Sequence, residues 1–196
     1  MRRVTIVTLQ LKILEIHLKN KYYRYKMSFK KISIRGRLAY ALIYLEIFFK
    51  KRKNNIPKVL RSLLDKLWSV NTSVVDLVQL EKEFNEMSPS SILSDDYKGN
   101  FDILSYEEYL EFKKVYTNLD DDSIRLIYFL LEILFSNLYS DMGDYAVNSY
   151  DFLIKFINVC KSNEVESPDV INIKSSSFKE ENGWGAIQNM KFWLDK

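Results

Sequence analysis

The chain has 196 residues, 47% hydrophobic and 14% aromatic, which allows one sizeable core and leaves little for a second at roughly 100 to 200 residues per domain. Five Gly and three Pro argue against a β-sandwich with its many tight turns and for long helices with short connections, while a single Cys and a single His exclude an intrachain disulfide and a Cys/His zinc site. The formal charge of +3 hides an asymmetry: residues 1–53 hold 15 Lys and Arg against two acids, a balance of +13, and the remainder holds 14 against 24, a balance of −10, a basic tail on an acidic body.

Residues 1–26, MRRVTIVTLQLKILEIHLKNKYYRYK, differ in character from the rest of the chain. Apolar and polar residues mostly alternate from Leu9 to Lys19, as in a strand. A secretory signal is excluded, because Thr5, Thr8, Gln10, Lys12 and Glu15 interrupt the apolar run and no small-residue cleavage site comes after it. Lys19, Lys21, Arg24 and Lys26 interleave with Tyr22, Tyr23 and Tyr25, a pattern suited to phosphate contact and base stacking. The plainer expectation is that Met27 is the natural start and these residues are upstream sequence read in frame. Counted from there, the chain carries 22 bases and 25 acids, a charge of −3, and no histidine.

Ser33 is placed to cap a helix over about 34–53, with Ile34, Leu38, Ala41, Leu42, Leu45, Phe48 and Phe49 on one face and Lys50 to Lys53 as a solvated cationic end. Gly36 in its first turn predicts close approach of another backbone. Pro57 suits the first position of a second helix, about 57–70, and a third is expected over about 73–87. Residues 88–103 read as an irregular connection, with Pro89 and Gly99 as breakers. Ser105 to Glu108 form a capping box that opens a helix over about 106–118. The stretch 123–139, SIRLIYFLLEILFSNLY, is apolar on every side and is expected to be buried on every side, with the other helices wrapped around it. It is too short to span a bilayer and carries Glu132 near its middle. Gly143 is expected to end it, and Asn148 or Ser149 to start a last helix to about Asn163. Beyond Pro168, Val170, Ile171 and Ile173 suggest a short edge strand. Trp184, between Gly183 and Gly185, reads as either a plug on the domain's own core or an exposed partner anchor. The fold expected is all-α: a single-domain bundle of about six helices over 27–196 with an irregular tail.

The chemistry is sparse. No histidine base lies outside the N-terminal segment for a Ser or Cys nucleophile, and no phosphate-cradling glycine motif occurs. Asp120, Asp121 and Asp122 lack the spacing of a calcium loop and suit the entry of a helix. Glu46 and Glu132 are the carboxylates expected to be buried, paired with Arg35, Arg37 or Arg125. Cys160 reads as a small core hydrophobe, and its solitude makes a reducing, cytoplasmic location the expectation. No enzyme, cofactor or metal is expected.

Three segments carry a resemblance: SIRGRLAYALIYLE at 33–46, LLDKLWSV at 63–70 and FKEENGWG at 178–185. Together they resemble a group of small, all-helical, largely uncharacterised bacterial proteins with an IRGR helix near the start and an ENNGWG-like tail, in which Glu181 departs from the pattern. Proteins of this kind resemble immunity proteins, which neutralise a toxin. The resemblance implies a non-enzymatic, cytoplasmic protein-binding module whose partner is a cognate toxin, with no functional residues to carry over. Basic toxins would meet acidic surface, so the candidate contacts are Asp95, Asp96, Asp102, Glu107, Glu108, Glu111 and Asp120 to Asp122, together with Trp184. Membrane, nucleic-acid and small-molecule partners are not expected; the competing reading is a nucleic-acid-associated regulator working through the basic N-terminal region.

Overall fold

A computed structural model describes residues 28–53, 55–94, 96–169 and 172–195; the strand and arm expected within residues 1–26, the Met27 start and Asp95 lie outside them. Helix α1, Ile34–Lys51, is capped by Ser33, whose Oγ accepts the Gly36 N–H. It buries 13 of its 18 residues, well beyond the single stripe expected. Gly36, Ala39 and Ala41 explain this: small residues on several sides let neighbours close in all round. A Cβ on Gly36 would stand 2.6 Å from Ile32 Cγ2 and 3.1 Å from Ser176 Cβ, so the close approach expected there is made by side chains.

Helix α2, Lys58–Thr72, follows Pro57 and buries Leu60, Leu63, Leu64, Leu67 and Trp68. Helix α3, Leu77–Met87, begins four residues later than expected, because Asp76 caps it through the Val78 and Gln79 N–H groups and the preceding Val74 is 91% exposed. The connection expected to be irregular contains a six-residue helix, α4, Pro89–Ser94. Proline is well placed at its first position, and Ser88 Oγ accepts the Ser91 N–H. Helix α5, Tyr106–Asn118, has the capping box read from Ser105 and Glu108.

Helices α6, Asp121–Phe135, and α7, Val147–Ser162, make the most extensive pair, and both pack on α1. α6 buries Leu126, Ile127, Leu130, Leu131, Ile133 and Leu134 but leaves Arg125 and Tyr128 exposed, so it is core on most of its circumference while α1 is the more deeply enclosed. It ends at Ser136, well before Gly143, which sits at φ +51 in the next turn. The intervening Asn137 is buried, and its Oδ1 accepts the Ser149 N–H in the first turn of α7.

The tail returns to the start of α1. Ile32 and Ser177 form an antiparallel bridge, with the Ser33 N–H donating to the Ser176 carbonyl and Phe178 N–H to the Lys31 carbonyl, both at 2.9 Å. Where an edge strand was expected, Asn172–Ser175 is a short 3-10 helix; Val170 and Ile171 lie outside the described residues. A last short helix, α8, Met190–Leu194, inserts the fully buried Trp193. The described residues form one helical domain, and no helix among them is long and apolar enough to cross a membrane.

Candidate protein-contact face

The two arginines of IRGR hold the chain together. Arg37 is fully buried, and its fork donates to the carbonyls of Phe29 at 3.2 Å, Ala146 at 3.0 Å and Tyr145 at 2.6 Å. Burial pushes its guanidinium down to about 10, so it stays charged at neutral pH. Arg35 donates to Val70 and Gly185 carbonyls at 3.0 and 2.6 Å. Neither pairs with Glu46 or Glu132. Each instead ties α1 to backbone far away in sequence: the entry to α7, the end of α2 and the tail.

The GWG segment is the other half of that clasp. The Arg35 N–H donates to the Trp184 carbonyl at 3.1 Å, and Ser33 Oγ lies 2.5 Å from Ser176 Oγ. Glu181, Asn182, Gly183 and Gly185 all have left-handed φ, and a Cβ on Gly185 would stand 2.2 Å from Ser33 Oγ. The Trp184 ring is partly buried and packs against the core, as the plug reading expected, with part of its surface left open. The residues that carry the resemblance thus meet in one place and explain one another by packing.

The groups able to do chemistry are held in ordinary ways. Glu46 pairs with Arg61 at 2.7 Å, both side chains about two-fifths exposed. Glu132 is half-buried, and burial raises its carboxyl although a hydrogen bond with Tyr128 pulls it back. Cys160 is buried, and desolvation pushes its thiol up to about 12. Among the described residues no group of three His, Cys, Asp or Glu side chains is arranged to hold a metal ion.

The acidic candidates separate into two sets. Asp120 caps α6 through the Asp122 and Ser123 N–H groups and accepts from Arg52. Burial pushes its carboxyl up, but Arg52 and Ser123 hold it below the usual range. Asp122 accepts from Asn163 at 2.9 Å and lies 3.6 Å from Arg125. Arg52 also bonds Asn163, and Lys51 reaches the Asn163 and Glu164 carbonyls, so the cationic end of α1 caps α7 instead of being merely solvated. Asp120 and Asp122 are therefore joints between α1, α6 and α7, with Asp121 exposed beside them.

The second set lies along the start of α5. Asp96, Asp102, Glu107, Glu108 and Glu111 are exposed. Glu108 is committed to the capping box, which holds its carboxyl low, and Asp96 lies in the field of Lys113. Glu107, Glu111 and Asp102 have no ion pair among the described residues. Between them stand exposed apolar groups: Tyr106 at 51%, Leu110 at 45% and Ile103 at 40%. The Tyr106 ring is not loose, since it lies edge-on to Tyr97 at 5.1 Å and stacks with Tyr109 at 6.4 Å.

Two features escaped sequence reasoning. Glu86 accepts the N–H groups of Asp102, Ile103 and Leu104 and so fixes the acidic loop; its only sequence signal was an acid placed before a Ser- and Asp-rich connection. The apolar members of the α5 face had a clearer one, because Tyr106 and Leu110 recur at helical spacing off the buried Tyr109–Phe112–Tyr116 stripe. No protein-family model matches the chain, and no curated protein or solved structure shows significant similarity to it.

Proposed function

We propose that the protein is a non-enzymatic binding module of the immunity type, acting in the cytoplasm to neutralise a basic toxin through the first two turns of α5. One observation carries the reading. Tyr106 and Leu110 stand exposed beside Glu107 and Glu111, carboxylates with no cation within ion-pair distance among the described residues. Aromatic anchors held rigid by neighbours dominate interface energies, and unpaired charge around them speeds encounter with a partner of opposite sign. Tyr106, braced by Tyr97 and Tyr109, is such an anchor. The resemblance to immunity proteins supplies the partner class; the acidic, apolar-centred face supplies the mode.

The test is co-expression of the full chain with the product of the neighbouring gene, read as host survival and co-purification. Rescue by the wild type, lost in Tyr106→Ala/Glu107→Lys while that variant keeps its helical circular dichroism, is the expected result. Survival unaffected by the double substitution moves the contact elsewhere, and failure of the wild type to rescue or co-purify removes the immunity reading.

A further inference from the structure

The end of α1, the start of α2 and the last turns of α5 enclose a groove of about 590 Å³, within the size range of binding sites. Its floor is apolar, formed by Phe49, Val59, Val115 and Leu119. Lys53, Lys58 and Lys114 also line it, and the one carboxylate in the lining is Glu111. None of these three lysines has an ion pair among the described residues, although Arg61 and Lys66 on the same α2 take Glu46 and Glu83. Pro57 gives the first turn of α2 no side-chain acceptor, which adds the positive end of a helix to the same wall.

We propose that this groove docks an acidic peptide segment of a protein partner, with an aliphatic or aromatic side chain on the floor and carboxylates at Lys53, Lys58 and Lys114. Charge complementarity selects the occupant. Apolar surface ringed by cations is matched by apolar side chains flanked by acids, and each ion pair formed there spares a charge already exposed. Residues 1–26 of the chain itself fit poorly, with seven bases and one acid. All three lysines are exposed, so a small amphiphile would leave much of its surface in water, whereas a peptide engages floor and rim with separate side chains. The groove adjoins the toxin-facing surface at Glu111, but its cationic rim, Lys53, Lys58 and Lys114, lies outside that surface and carries the opposite charge, so this docking does not rest on the toxin-facing role.

The test uses the full chain and a fluorescein-labelled short peptide in which Asp and Glu flank a central Leu-Phe pair, followed by anisotropy. Saturable binding that weakens with salt, falls about tenfold or more in Lys53→Glu/Lys58→Glu/Lys114→Glu, and is absent for the same peptide with Lys replacing its acids is the expected result. The lysines are exposed, so circular dichroism of the triple variant should be unchanged; Val115→Asp, which charges the floor, should abolish binding independently. Binding indifferent to both variants overturns the proposal, as does no saturation at millimolar peptide. Binding of decanoate without the peptide assigns the groove to a small amphiphile, and self-association abolished by the triple variant assigns it to a second copy; either refutes a peptide site. Toxin rescue by the triple variant distinguishes failure here from failure of the immunity reading.

Discussion

Arg37→Met removes the buried guanidinium and keeps an unbranched apolar stem in its place. The three carbonyls it serves are then affected unequally. Phe29 O still accepts from the Ile32 N–H at 3.2 Å and Ala146 O from the Tyr150 N–H at 3.1 Å, so the part-buried Tyr145 carbonyl loses most, at roughly 1 kcal/mol, the low end for an unsatisfied acceptor. Two further bonds from a charged donor disappear, each of order 1.5 kcal/mol. Against this, a desolvated cation is no longer buried, which returns part of the cost. The balance is a loss of about 3 kcal/mol, which at an m-value of about 2 kcal/mol/M lowers the urea midpoint by about 1.5 M. Arg37→Lys is expected to do no better, because an ammonium lacks the planar fork that reaches three carbonyls at once and is more strongly hydrated. Because burial lowers this pKa to about 10 from 12.5, the unfolded chain holds more protons between those values, and the group's own contribution to stability rises with pH only in that alkaline window. Near neutrality the effect of Arg37→Met is therefore flat with pH. A midpoint shift under about 0.5 M for Arg37→Met, equivalent to about 1 kcal/mol, or wild-type stability in Arg37→Lys, would falsify the account of this arginine as the clamp between α1 and the start of α7.

Gly185→Ala should cost about 2 to 3 kcal/mol, since it combines φ +80 with a Cβ 2.2 Å from Ser33 Oγ; trypsin should then cut the tail at Lys174 and Lys179 far faster. Gly99→Ala, at φ +84 with nothing within 4 Å, is the control and should lose only about 1 kcal/mol; equal losses at both sites would show that packing against Ser33 is irrelevant. Glu132→Gln should raise the melting temperature at pH 7 by about 2 °C. Burial raises this carboxyl in the folded state, so the folded protein binds the proton more tightly and wild-type stability falls as pH climbs above the ordinary carboxylate range; the gain should vanish near pH 4, and a gain independent of pH would point to another cause. Cys160, buried with its thiol pushed up to about 12, should resist an aromatic disulfide reagent at pH 8 until urea unfolds the chain, and prompt native reaction would contradict its burial.

Local chemistry made much of the fold legible. Ser33, Ser105 with Glu108, and the Asp120 to Asp122 run each announced a helix entry, because an N-cap depends on residues a few positions apart. The periodicity of α1 likewise identified Ile34, Leu38, Ala41, Leu42, Leu45, Phe48 and Phe49 as core. Two short helices escaped, α4 because its Ser and Pro residues serve a helix start as well as a turn, and α8 because Trp193 is held by the rest of the tail. Candidate contacts were less legible. Composition marked Asp120, Asp122 and Glu107 as the same kind of residue, and only their neighbours distinguish them: Arg52 and Asn163 occupy the first two, while Glu107 faces solvent.

Residue order and composition sufficed for an all-α domain, most helix starts, an acidic body and the motifs IRGR and GWG. Only the folded chain reveals that α1 is more enclosed than α6, that Arg35 and Arg37 bind carbonyls instead of Glu46 and Glu132, and that the two motifs form one clasp. The difference is one of range. Caps and helical faces are set by residues within one or two turns, whereas the partner of a buried polar group depends on which distant backbone is delivered to it, and the carbonyls of Tyr145 and Gly185 carry no side-chain signature that a sequence could display.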